Sequence, residues 1–171
     1  MDAACELAGG TPWAEPLSTG TSLAFVVAGA AIVVAALRAR RGTPSGPPQP
    51  DGAAAGSLRV AFGILVALVG AGSVVQHGPS PSWKPVVHDP PLLGALALVA
   101  GDAVADLTGR RLRTWWWLAP TLLGVPLAAA SPTASTAAPL GVTLQGHAAW
   151  HVLAATALWL LAPTLGTRTT S

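Results

Sequence analysis

Leu17 to Leu37 reads LSTGTSLAFVVAGAAIVVAAL, a stretch without a formal charge that ends at Arg38, Arg40 and Arg41. As a helix rising about 1.5 Å per residue it covers roughly 30 Å, the thickness of a bilayer's hydrocarbon core. Its composition is that of the whole chain. Of 171 residues, 51% are hydrophobic and 9% charged, whereas a soluble domain carries charge on about a quarter of its residues. So few charges cannot make a water-facing surface, and lipid is the solvent the sequence fits. The expected fold class is all-α, a polytopic bundle forming a single integral membrane domain over residues 1–171.

Outward from that stretch the pattern repeats. Apolar runs are expected as spans at 17–37, 58–77, 91–108, 114–130 and 146–165. Between the first two, residues 42–57 are rich in proline, glycine and alanine and read as a flexible cytoplasmic loop. Residues 78–90 contain Pro79, Pro81, Pro85 and Pro90 and read as a turn, with Trp83 at the interface. Trp115, Trp116 and Trp117 open the fourth span as an aromatic belt, and Pro120 and Pro126 are expected to kink it. Residues 1–16 are polar and lack the positive segment of a secretory signal. Cys5 is the only cysteine, so no internal disulfide is available.

Five spans place Arg38, Arg40, Arg41, Arg59, Arg110, Arg111, Arg113 and Arg168 on one face and Lys84 alone on the other. By the positive-inside rule the N-terminus is then outside and the C-terminus cytoplasmic. The pI of about 9.5 is accounted for by these topology signals, so nucleic acid is not an expected partner. A composition rich in alanine, glycine and arginine points to a bacterial plasma membrane.

The same span count brings scattered polar residues to one depth. Ser73 and His77 end the second span, Asp89 precedes the third, and His147 and His151 open the fifth, all on the outer face. His147 and His151 lie one turn apart on one side of a helix. Three neutral imidazoles and a water make an open catalytic zinc site, in which the metal polarises a carbonyl and lowers the pKa of the water. Asp89 is the candidate proton acceptor and Ser73 the candidate support for a developing oxyanion. Each has a plainer reading. The histidines can be interfacial residues without a ligand, Ser73 can bond back to its own helix, and Asp89 before Pro90 and Pro91 can cap the third span. His88 is a competing ligand.

Two other acidic pairs stand out. Asp102 and Asp106 lie toward the cytoplasmic end of the third span. They read as ion-pair partners of Arg110, Arg111 and Arg113, or as the pathway of a small transporter. Glu6 and Glu15 precede the first span and are candidate calcium ligands, against the alternative of a solvated tail.

Ser73-x-x-x-His77, Asp89 twelve residues after His77, and His147-x-x-x-His151 together resemble the alkaline ceramidases. The arrangement is shared with their superfamily relatives, the progestin and adiponectin receptors. Cys5-Glu6 and Ala14-Glu15-Pro16-Leu17-Ser18-Thr19-Gly20-Thr21-Ser22 are similar to that family's N-terminal segment, which has Trp-Cys-Glu, then Ala-Glu-Phe and Asn-Thr-x-Ser-Asn. This second likeness favours the ceramidase branch. The resemblance implies zinc on His77, His147 and His151, Asp89 acting on the zinc-bound water, Ser73 at the oxyanion, and Glu6 and Glu15 at a calcium site. It implies hydrolysis of the amide of a ceramide-like membrane lipid. The receptor relatives supply the alternative, a non-enzymatic receptor-like or structural zinc protein. The chain departs from the family in having five expected spans rather than seven, in lacking the asparagines of the calcium segment, and in having no partner for Cys5.

Overall fold

A computed structural model describes residues 15–41, 50–130 and 145–166, with the side chains of 50–53 and 145–150 excepted. The fold is all-helical. Its helices are α1 (Pro16–Arg41), α2 (Pro50–His77), α3 (Lys84–Leu107), α4 (Trp115–Ala130) and α5 (Gln145–Leu161), the last continued by a short 3-10 turn (Ala162–Thr164). Three of them, over Pro16–Arg41, Ala54–His77 and Lys84–Leu107, are long and apolar enough to cross a membrane. Over the described residues α4 and α5 are shorter apolar helices, of 16 and 17 residues.

Two boundaries differ from the sequence expectation. Helix α2 begins at Pro50, so residues 50–57 are helical rather than loop; residues 42–49 lie outside the described residues. Helix α3 begins at Lys84, which turns Pro90 and Pro91 into internal prolines and puts Asp89 inside the helix instead of at its cap. The cap position is held by Trp83, without a side-chain bond, and Pro85 takes a first-turn site where a missing N–H costs nothing. Pro91 removes the N–H that would meet the Val87 carbonyl. That carbonyl instead faces α2 at Gly72, where a Cβ would lie 2.5 Å from it.

Helix α5 packs on α1, α1 on α2, α2 on α3 and α3 on α4. Small residues make the closest approach possible, as bilayer helices require when lipid supplies no hydrophobic drive between them. Helix α1 buries Ser18, Ser22, Phe25, Gly29, Ile32 and Ala36, a stripe at alternating spacings of four and three. A Cβ on Gly29 would sit 2.5 Å from the Ala67 amide nitrogen and the Gly63 carbonyl oxygen, and one on Gly63 2.8 Å from the Gly29 oxygen. The core around this crossing contains Phe25, Ile32, Phe62, Leu65, Val66, Val69 and Leu98. Around the outside Leu23, Val27, Leu68, Leu96, Leu122 and Leu153 are exposed, the inverse of a soluble protein and the arrangement a lipid environment accepts.

The antiparallel run of α1, α2 and α3 collects the arginines at one end. There Arg40 donates to Ser57 Oγ (2.6 Å), and Arg59 donates to the carbonyls of Leu165 (3.1 Å) and Pro163 (2.8 Å). Gly166, at φ +72°, donates its N–H to Asp102 Oδ2 (3.3 Å). Asp102 Oδ1 is buried without a hydrogen-bond partner among the described residues. The expected pairing of Asp102 and Asp106 with Arg110, Arg111 and Arg113 is not found among the described residues. Asp102 holds the segment after α5 instead, and Asp106 is exposed.

Candidate metal centre

The opposite end gathers the hydroxyl and imidazole groups. Ser73 is 1% exposed, His151 2% and His77 8%, with Ser18 and Ser22 fully buried beside them. The His77 and His151 rings, from α2 and α5, have centroids 5.2 Å apart at 59°. Phe25 closes the inner side, edge-on to His151 at 5.7 Å.

Proton bookkeeping assigns the hydrogen bonds. His77 Nδ1 lies 2.6 Å from Glu15 Oε2, and a carboxylate only accepts, so Nδ1 carries the hydrogen. The same two residues are joined again through the backbone, Glu15 N–H donating to the His77 carbonyl at 2.8 Å, one of the helix-terminal carbonyls that lack an intrahelical partner. Glu15 is held there because its own carbonyl starts α1, accepting from the Thr19 N–H (2.8 Å), and Pro16 takes the first helical position.

On α1, Ser22 spends its one hydroxyl hydrogen on the Ser18 carbonyl at 2.6 Å. Ser22 Oγ can then only accept, from Ser73 Oγ at 2.8 Å and from His151 Nδ1 at 3.4 Å. Thr21 Oγ1 directs its hydrogen to the Leu17 carbonyl at 2.9 Å and lies 3.2 Å from His151 Nδ1. His151 therefore also carries its hydrogen on Nδ1. With both rings neutral, both lone pairs are on Nε2, and the tautomers follow from the network.

Ser73 does not bond back to its own helix; it crosses to Ser22. Asp89 is brought to the level of α2 but not into the cluster. A Cβ on Gly72 would lie 2.7 Å from His88 Cα, so the start of α3 abuts the residue before Ser73. The Asp89 carboxylate turns outward, 53% exposed, to His88 Nδ1 at 2.8 Å. His147 sits one turn before His151 on α5, and its side chain lies outside the described residues. Among the described residues no group of three or more His, Cys, Asp or Glu is disposed to hold a metal ion. Glu6 is likewise outside the described residues, and Glu15 is bonded to His77.

Thr21 and Ser22 entered the sequence reading only as part of a family likeness. A physical signal for them existed. Ser18 and Ser22 fall on the same stripe as Phe25, Gly29 and Ile32, and hydroxyls on the buried face of a membrane helix need polar partners across the interface.

No family model matches the chain, and no curated protein and no solved structure matches it.

Proposed function

We propose that the protein is a zinc-dependent membrane hydrolase that cleaves the amide bond of a ceramide-like N-acyl lipid, with His77, His147 and His151 as ligands. One observation carries this reading: two histidines 74 positions apart in the chain meet with Nδ1 of each committed to a protein oxygen. Metal-binding histidines nearly always donate their second ring nitrogen in this way, which fixes the tautomer and the ring plane. The donor set fits zinc, Glu15 standing behind one imidazole and Thr21 and Ser22 behind the other. When bound, zinc would supply Lewis-acid polarisation of the amide carbonyl and activation of water.

The remaining work falls to the chain. Glu15 keeps the hydrogen on His77 Nδ1. Ser22 holds His151 and Ser73 together, and Ser73 supports the acyl oxygen only after turning its hydroxyl from Ser22. Asp89 accepts a proton only after leaving His88. Exposed apolar side chains around the bundle would let a lipid enter sideways from the leaflet. The likeness to alkaline ceramidases suggests the amide, the arginine distribution supports an N-terminus on the outer face, and the alanine-, glycine- and arginine-rich composition supports a bacterial plasma membrane. In this reading Glu15 serves His77, and calcium has no assigned step.

The outward Asp89 carboxylate favours a second reading, a non-enzymatic zinc protein of the receptor-like or structural kind. Metal analysis of the purified full chain beside a His147→Ala/His151→Ala variant tests both. About one zinc per chain, lost in the variant, is expected; absence of zinc from the wild type removes both readings. Asp89→Asn then separates them. Full zinc with loss of ceramide hydrolysis supports the hydrolase, and a wild type that holds zinc without cleaving any N-acyl lipid leaves the structural role.

A further inference from the structure

The turn after α3 is shaped by a helix stop. Gly109, at φ +63°, donates to the Asp106 carbonyl (3.2 Å), and Arg110 N–H to that of Ala105 (2.9 Å), the paired bonds of a Schellman motif. Arg110, Arg111 and Arg113 follow, and with Trp115 and Trp116 they line a cavity of about 410 Å³. A second cavity of about 380 Å³ shares both tryptophans and continues along α3, lined by Ala97, Ala100, Gly101 and Val104. These four stand at helical spacings of three and four, hence on one face. Their small side chains leave a shallow, open slot about 10 Å long beside the indoles. In the shared wall Trp115 and Trp116 meet edge to face at 6.1 Å.

We propose that the two cavities form one binding site for an anionic phospholipid, its phosphate among Arg110, Arg111 and Arg113 and an acyl chain in the slot from Val104 to Ala97. The shape is amphipathic in the order a lipid requires. Guanidinium groups match phosphate oxygens in fork geometry, tryptophans mark headgroup depth, and basic pockets between membrane helices accept anionic headgroups. A free phosphate would fit the mouth but gain nothing from the slot. The site is separated from the histidines by the length of α3, 24 residues or about 35 Å, so it stands or falls independently of the zinc reading.

The test uses the full-length protein in detergent micelles, with bound lipid counted by native mass spectrometry. Phosphatidylglycerol should be retained over phosphatidylcholine by about tenfold or more. Arg110→Gln/Arg111→Gln should erase that preference. Ala100→Phe, at an exposed position, should weaken retention without changing charge. Arg38→Gln/Arg41→Gln, with the same charge removed from the same end, should leave it intact. Equal retention of the two lipids overturns the proposal. So does an equal loss in the α1 variant, which reduces the effect to general surface charge. Displacement by millimolar inorganic phosphate, together with no effect of Ala100→Phe, identifies a phosphate site without a lipid. Helical circular dichroism reports folding, and if the loop variant fails to fold, Ala100→Phe decides.

Discussion

The two ends of the bundle handle polar groups in opposite ways. At the histidine end, side chains from α1, α2 and α5 bond chiefly to one another: Glu15 to His77, Thr21 and Ser22 to His151, Ser22 to Ser73. At the arginine end, apart from Arg40 on Ser57, side chains bond to backbone, Arg59 to the carbonyls after α5 and Asp102 to the Gly166 amide. The second arrangement closes a helix terminus whose carbonyls would otherwise lack partners. The first fixes where ring nitrogens point, which closing a terminus does not require. Polar groups in a low-dielectric interior are costly unless satisfied. A network that joins side chains of three helices is therefore a constraint on orientation.

The comparison can be broken first at the crossing that both ends depend on. Gly29→Ala puts a methyl against backbone atoms of α2, which cannot step aside as a side chain would. A loss of about 1–3 kcal/mol or more is expected in thermal or denaturant unfolding in detergent, with zinc content and lipid retention falling together. A stable Gly29→Ala protein would mean that α1 and α2 are not in contact as described.

The histidine end can be sharpened next. Glu15→Gln and Ser22→Ala should each lower zinc affinity about 10–100-fold, read by competition with a chelator, while helical content stays near wild type. Ser22→Ala also takes from the buried Ser73 hydroxyl its acceptor on α1, at a cost of about 1–3 kcal/mol, and leaves the His151 N–H to Thr21 Oγ1 alone. Unchanged affinity in both variants would reduce the network to packing.

The smallest effect belongs to the arginine end. Arg59→Gln should lower stability by about 1 kcal/mol through loss of bonds to Leu165 and Pro163. It should make the segment after α5 more sensitive to protease and leave zinc binding unchanged. A change in zinc affinity here would show that the two ends are coupled.

Much of the fold could be read along the chain. Apolar runs between short charged loops gave five helices in the right order, because helical hydrogen bonding is local and lipid imposes length and composition directly. The run from Leu17 to Leu37 lies within α1, and the spacing of Ser73, His77 and His151 fits α2 and α5. The start of α3 was misread for a local reason. Pro85, Pro90 and Pro91 look like a turn, yet a helix tolerates proline in its first turn, and the Val87 carbonyl, which Pro91 has no N–H to meet, lies against Gly72 across the interface.

What the sequence determined by itself is the solvent and the inventory: a lipid environment, a bundle of apolar helices, arginines gathered at one end and histidines at the other. These follow from composition and one-dimensional spacing. Tertiary structure alone decided the pairings. It turned Asp89 outward to His88, drew Glu15 onto His77, gave Ser73 to Ser22 rather than to its own helix, and set Asp102 on the segment after α5 instead of on the arginines. The pairings across α1 depend on which faces meet when α1 crosses α2 at Gly29 and Gly63, and a distance between helices is not written in the spacing along any one of them.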